Sequence, residues 1–361
     1  MTIVEAAVSS ADWDEAVANF PDASVYQTSS WALARSTRSS TRRIAIRDGG
    51  ELAAGAQVLI RRVGPGATAG YVPYGPLVAE HRWHDADLVE RVVAAIEAEA
   101  HDAGCAVLLI QPSRRHHAAI PILEGRGYRP APVAVATTAA VEVELGRPDD
   151  ELFAGLSKKR RSAVRRSIAS GVVVERGGAA DLVTFHRLHV ASARHHGFLP
   201  MSIDYLHRQW RALHRHGYLQ LFLARVDSEV RAAGTLLGYG PGAEFKLTGW
   251  DQSDEARRGF ANEAVNWAMM SWANGAGHRY FDLGGLPRAQ AVAAVESGDA
   301  RAAIQGTGSV FKLGWGGRVV VYPDTYEKVL RRSGHLTYRL PSKLLSDGGM
   351  GGSLVNWMRR T

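Results

Sequence analysis

The chain has 361 residues, with 43 Lys and Arg against 36 Asp and Glu, a net charge of +7. That length exceeds one ordinary globular core and implies two domains of middling size, while 46 % hydrophobic and 22 % charged residues exclude a disordered or fibrous chain. The single cysteine, Cys105, excludes an intrachain disulfide framework and any Cys-rich zinc or iron–sulfur site, so a reducing, cytoplasmic address is expected. The N-terminus has no basic region before an apolar stretch, and no run of roughly 18 apolar residues occurs, so neither a signal peptide nor a membrane span is expected and any membrane contact is peripheral. Positive charge points to an anionic partner, but the cations are mostly Arg. The only lysines are Lys158, Lys159, Lys246, Lys312, Lys328 and Lys343, which makes each lysine more informative than a diffuse arginine.

In chain order, Arg43–Arg47 and Leu52–Ile60 flank Asp48-Gly49-Gly50 as a β-hairpin. A strand over Ala69–Val78 follows, then an amphipathic helix over Asp85–Ala103 stopped by Gly104, then a strand over Cys105–Ile110. Gly146–Asp150 reads as a linker entering a helix that carries Leu152, Phe153 and Leu156 and continues through the cationic run from Lys158 to Arg166. The first order of elements then recurs. Leu219–Val226 and Val230–Tyr239 form a hairpin, Glu244–Thr248 a strand, Asn262–Asn274 a helix stopped by Gly275 and Gly277, and Tyr280–Leu283 a closing strand, offset by about 175 residues. The Ala-rich link Arg288–Gly308 suggests a lid, Arg318–Tyr322 a strand, and Tyr326–Arg332 a helix; the last twenty residues look poorly structured apart from the basic end Trp357–Arg360. The domains expected are 1–149, with 323–361 packing back on it, and 150–322.

Hairpin, strand, helix, strand is the core order of the acetyltransferase-like (GNAT) fold. The segments Val25-Tyr26-Gln27-Thr28-Ser29-Ser30-Trp31, Tyr71-Val72-Pro73-Tyr74-Gly75-Pro76, and Tyr280-Phe281-Asp282-Leu283-Gly284-Gly285 followed by Phe311-Lys312 make the chain resemble the Fem (FemABX) family of aminoacyl-tRNA-dependent peptidyltransferases, in a short form without a coiled-coil arm. The resemblance runs over roughly Ser24 to Leu330. It implies an α/β (α+β) protein of two tandem GNAT-like domains, each a mixed, mostly antiparallel sheet with flanking helices. It also implies an aminoacyltransferase that moves an amino acid from aminoacyl-tRNA, as co-substrate and with no other cofactor, to an amine of a peptidoglycan precursor or peptide-like natural product. The segment Phe198–Ser202 lacks an Arg expected of members that bind a nucleotide-linked muropeptide, and Gln111 stands where some relatives carry an acid.

Amide formation from an ester requires alignment, an unprotonated amine and a stabilised oxyanion. Lys312, a compact ammonium after Phe311 and before Gly314-Trp315-Gly316-Gly317, is the candidate for the cationic role; the bland reading is a solvated lysine at a strand end. Asp282 either orients or deprotonates the amine, or caps backbone N–H groups of the Gly284-Gly285 turn. Lys158, Lys159, Arg161, Arg165 and Arg166 form an acid-free stripe suited to tRNA phosphates, against the alternative of a solvated helix face. By position against the family pattern, Trp31, Arg35, Tyr74, Tyr205, Lys246, Trp250 and Phe311 are candidates for the substrate groove, and aromatics among them read equally as core. The paired histidines, including His186 and His189, do not make a metal site by spacing.

Two other readings stand beside this one. An acyl-CoA-dependent N-acyltransferase shares the fold and would use acetyl-CoA or another acyl-CoA; it needs a glycine-rich turn before a helix, for which Ala256–Asn262 is a degenerate version. A non-catalytic RNA-binding module explains the basic helix but leaves Asp282 and Lys312 without a role.

Overall fold

In a computed structural model of the chain, residues 2–5, 9–35, 39–64, 67–132, 134–251, 253 and 259–331 are described. The chain divides into two compact units, Met1–Thr138 with Tyr322–Thr361, and Ala139–Val321. The turn residues 256–258 and the basic end Trp357–Arg360 lie outside the described residues.

The first unit contains β1 (Thr2–Glu5), α1 (Ser10–Ala18), α2 (Ser29–Ala34), β2 (Ser39–Asp48), β3 (Glu51–Gly64), β4 (Ala67–Val72), β5 (Leu77–Val78), α3 (Ala86–Asp102), β6 (Val107–Ile110), α4 (Ala119–Gly125) and β7 (Arg129–Pro130), together with the last described strand, β15 (Tyr326–Val329). Its sheet runs β1-β2-β3-β4-β6-β15-β7, with β5 beside β3. Gly49 and Gly50 close the β2–β3 hairpin at φ +58° and +91°, a left-handed turn that matches strand twist. Helix α3 begins where the Asp85 carboxylate accepts the Leu88 N–H, and its Leu88, Val92, Ile96 and Ala100 stripe is buried on the sheet. Of Tyr326–Arg332, expected as a helix, Tyr326–Val329 is instead the strand β15 and Arg332 lies outside the described residues. The backbone of β15 pairs with β6 and β7 and so satisfies the polar groups of β6, a strand whose four side chains are all buried.

The second unit contains β8 (Ala139–Glu144), α5 (Asp149–Gly155), α6 (Lys158–Ala169), β9 (Val173–Arg176), α7 (Leu182–His196), α8 (Ile203–Leu213), β10 (Leu219–Val226), β11 (Glu229–Tyr239), β12 (Gly242–Trp250), α9 (Ala261–Gly275), β13 (Tyr280–Gly285), α10 (Arg288–Ser297), α11 (Ala300–Ala303), α12 (Thr307–Leu313) and β14 (Arg318–Val321). Its sheet runs β14-β8-β13-β12-β11-β10-β9. Each unit thus holds a mixed, mostly antiparallel sheet with flanking helices, in the hairpin, strand, helix, strand order read from the sequence.

Three boundaries differ from expectation. Strand β8, placed by sequence in the first domain, pairs with β13 and β14, and its Val141 and Val143 are buried in the second core, so the division falls at 138/139 and not at 149/150. The single helix expected through Leu152 and Arg166 is two helices. Leu156 is extended at ψ 150°, and the Ser157 hydroxyl accepts the Arg160 N–H as the cap of α6. The link Arg288–Gly308 is not a loose lid: Ala291, Ala294 and Ile304 are buried in the second core, and Phe311-Lys312 lies on the short helix α12.

Candidate active site in the second unit

Strands β12 and β13 run parallel and pair at Gly242–Tyr280, Ala243–Phe281 and Glu244–Asp282, where the pairing ends. Beyond it, Gly284 takes φ +82°, and a Cβ there would stand 3.8 Å from both the Phe245 carbonyl oxygen and Lys312 Nζ. Register pairing between the two strands stops here, leaving a gap in the ladder. The first unit does not do this. There β4 and β6 stay paired to Val72–Ile110, and Gln111 extends the ladder by donating its N–H to Val72 and accepting from the Gly75 N–H.

Lys312 closes the gap from above. Its Nζ donates to the Gly285 carbonyl at 2.5 Å, and burial pushes its pKa below the usual lysine value while the charge of Asp282 pulls it back up. Asp282 is fully buried, and its Oδ1 accepts the Gly284 N–H at 2.7 Å. The structural role weighed for Asp282 is therefore present, and it holds the carboxylate under the Lys312 ammonium. Across the sheet, Glu244, Asp282, Glu142 and Arg318 are successive register partners on β12, β13, β8 and β14, so their side chains share one face. Glu142, at 5 % exposure, was not singled out by sequence. Lys246 joins this row through irregular pairing: Leu236 pairs with Phe245 and Thr235 with Leu247, which leaves Lys246 as the extra residue of a bulge, 4.0 Å from Glu244.

On the helix side of the gap is a cavity of about 610 Å³, lined by Phe245, Thr248 and Trp250 of β12, Leu283 of β13, the first turns of α6 and α9, and Thr307, Gly308, Phe311 and Lys312 of α12. Arg160 turns inward from α6. Its Nη1 donates to Glu263 Oε1 at 2.7 Å, and its guanidinium lies 4.1 Å from the centre of the Phe311 ring. A Cβ on Gly314 would come within 3.0 Å of Arg160 Cγ, so that glycine leaves room for the arm. Glu263 stands in the first turn of α9, and its pKa is raised: burial outweighs the nearby Arg160 charge and the hydrogen bonds to it. At the mouth, Arg231 holds Asp251 at 2.8 Å, and the His196 ring sits 5.0 Å from Trp250. Burial, then the neighbouring His195, lower the His196 pKa.

The cationic run on α6 divides by side. Lys158, Lys159, Arg165 and Arg166 are exposed, Arg161 is half-buried, and Arg160 is buried. Arg161 donates to the carbonyls of Ala154, at 2.7 Å, and Leu156, which end α5, and so serves the helix break. Arg165 and Arg166 lie over the rings of Phe153 and Phe260. The positive charge of the run is thus partly balanced from within, by Glu263 and by helix-end carbonyls.

Trp250, Phe311, Lys312 and Lys159 meet at the cavity, with Asp282 beside Lys312. Lys246 lies on β12 but not in the cavity wall. Tyr205 is buried on α8, where its hydroxyl accepts from Gln209 at 2.8 Å, a core placement. Trp31, Arg35 and Tyr74 belong to the first unit: Trp31 packs edge-on at 4.5 Å against Tyr26, Arg35 caps α2, and the buried Tyr74 hydroxyl donates to the Thr137 carbonyl. His189 is structural, its Nδ1 donating to the Thr248 carbonyl and its Nε2 accepting the Met201 N–H. The contributors missed by sequence are Glu142, Arg160 in its inward role, Asp251 and Glu263. Of these, Glu263 carried a signal, as an acid beside the degenerate turn.

Residues 154–300 match the acetyltransferase (GNAT) domain family. Over 89 residues, 25 % of this chain, the sequence is 34 % identical to lipid II:glycine glycyltransferase of Staphylococcus aureus. That stretch is 21 % of the relative, so the chain spans about a fifth of the length of the curated relatives it matches. Among solved structures, FemX superposes with a TM-score of 0.80 at 18 % identity, over 95 % of this chain and 100 % of that one. The C-terminal domain of a putative lysylphosphatidylglycerol synthetase from Agrobacterium fabrum follows at 0.54, with 14 % identity over 94 % of this chain and 99 % of its own. A tandem GNAT protein from the clavulanic acid biosynthesis pathway gives 0.52, with 13 % identity over 91 % and 98 %. At these identities the structures speak for the fold, two GNAT-like units in tandem. Among the described residues, no helix is long and apolar enough to cross a membrane.

Proposed function

This chain is a Fem-family homologue built from two tandem GNAT-like units, and on that premise we propose that it is an aminoacyltransferase, moving an amino acid from aminoacyl-tRNA to the amine of a cell-wall precursor or peptide-like acceptor. The observation that carries this reading is the placement of Lys312 over Asp282 at the parting of β12 and β13, on the wall of the 610 Å³ cavity. The acceptor amine adds its lone pair to the ester carbonyl carbon, and the C–N bond forms as negative charge collects on the carbonyl oxygen. A half-buried ammonium fixed by Gly285 stabilises that charge without having to reorganise. The C–O bond to the ribose then breaks, and the departing ribose oxygen takes up the proton that the amine loses. An acceptor amine of the lysine kind has a pKa of about 10.4, so desolvation and the nearby Lys312 charge, against the pull of the carboxylate, must favour its reactive form.

The exposed cations of α6 support an RNA donor, because they open the same cavity through Lys159 and stand without interleaved acids. The acyl-CoA alternative meets an obstacle at the α9 N-terminus. The first turn where a pyrophosphate would be cradled carries the Glu263 carboxylate, already held by Arg160. A donor made by the translation apparatus places the reaction in the cytoplasm, and a lipid-linked acceptor would then be met by peripheral contact. The test is transfer of radiolabelled amino acid from aminoacyl-tRNA to lipid II or a soluble muropeptide precursor. Product that is abolished by ribonuclease and not restored by acyl-CoA is the expected result; ribonuclease-resistant, CoA-dependent product would replace this reading with the acyl-CoA one.

A further inference from the structure

An aminoacyl ester differs from an acyl thioester in carrying an ammonium on the carbon next to the reacting carbonyl. If that carbonyl oxygen faces Lys312, the donor ammonium enters the same cavity as a lysine of like charge, and a carboxylate has to offset it. Among the described residues, two acids line the cavity, Asp251 and Glu263. Asp251 already accepts three hydrogen bonds, at Oδ2 from Arg231 and the Ser253 hydroxyl and at Oδ1 from the Ser253 N–H. Glu263 Oε1 accepts from Arg160 Nη1, the Lys159 charge also acts on the carboxylate, and burial prevails over both in raising its pKa. Its partner Arg160 stacks on Phe311, the residue before Lys312, so Glu263 reaches the cavity beside the candidate oxyanion site.

Resting on the aminoacyl-tRNA reading above, we propose that Glu263 is a specificity-determining residue that accepts the free α-ammonium of the donor aminoacyl group. Arg160 holds the carboxylate in place, and the donor ammonium makes a second charge-assisted contact with it. A donor whose amine is acetylated brings an uncharged amide to the same spot, forfeits that contact, and binds more weakly.

The experiment measures binding of the full chain to microhelix RNAs bearing amide-linked, non-hydrolysable glycyl or alanyl groups, each with a free or an acetylated α-amine. The free-amine RNA is expected to bind about tenfold more tightly, the scale of one charge-assisted contact. Glu263→Gln should bring that ratio close to one. Because Glu263→Gln leaves Arg160 buried without its partner, the double variant Arg160→Met with Glu263→Met provides a charge-neutral core, checked by its melting temperature, and should also lose the preference. Equal binding of both RNAs by the wild-type chain, or a ratio unchanged in both variants, overturns the proposal while leaving the aminoacyl-tRNA reading intact. Failure of the wild-type chain to bind either RNA overturns the aminoacyl-tRNA reading, and the role of Glu263 with it.

Discussion

The Lys312 ammonium donates to the carbonyl of Gly285, two helices earlier in the chain, and stands beside the buried Asp282 carboxylate. Both tethers come from the strand that parts from β12, so the ammonium is aimed at the gap by backbone geometry. Lys312→Met keeps the length of the arm and removes the charge. It should lower the single-turnover rate by about 10²–10³ while leaving the circular dichroism spectrum unchanged. A rate within a factor of two of wild type would remove Lys312 from the chemistry.

RNA affinity should be carried by the four exposed cations of α6. Changing Lys158, Lys159, Arg165 and Arg166 together to Gln should flatten the dependence of log affinity on log salt by about 0.7–0.9 per cation that contacts phosphate. Arg161 is left out because it anchors the carbonyls that end α5, and its loss would mix a folding defect into the result. An unchanged salt slope would make this helix a solvated face.

Gly249 sits where α7 crosses β12. A Cβ there would lie 2.4 Å from the backbone nitrogen of His189, and backbone cannot rotate aside. Gly249→Ala should therefore destabilise the second unit by more than about 3 kcal/mol, at the upper end of overpacking costs, and this can be read from the shift of the urea midpoint. A loss below about 1 kcal/mol would mean that the helix moves freely on the strand.

His189 should make the second unit acid-sensitive. Its Nδ1 donates to a carbonyl and its Nε2 accepts an N–H, so the folded state holds the neutral ring, and burial lowers its pKa. In the unfolded chain the ring titrates near the ordinary value of about 6.5 and binds the proton more readily. Stability is therefore full above pH ~6.5 and declines as pH falls from there toward the lower folded pKa. Urea midpoints at pH 7.5 and 5.5 should show a larger acid loss for wild type than for His189→Gln. Equal losses would put the acid sensitivity elsewhere, for example at His278, whose pKa burial also lowers.

Both hairpins and the paired strand–helix–strand units were legible in the sequence because each rests on local signals, and Lys312 stood out as a candidate on a compositional one. Gly49-Gly50 sets a turn, the Leu88–Ala100 stripe sets a helix face, and one lysine stands out in an arginine-rich chain. Tyr326–Val329 misled because four residues carry no periodicity able to separate a strand from a helix turn; its partner strand, β6, decides. The run Lys158–Arg166 misled in part because its acid lies elsewhere: Glu263, which pairs with Arg160, is 103 residues away.

The repeated αβ unit, the chemical types available to a site and the standing of Lys312 among the cations follow from local sequence, since turn, cap and periodicity act between neighbours along the chain. Folding sets where the β12–β13 ladder stops, that Glu142 and Glu244 flank Asp282 on one face, and that Arg160 turns inward to Glu263 while its neighbours stay in water. Those facts depend on register and packing between segments far apart in sequence, where a shift of one residue in a strand moves every side chain to the opposite face.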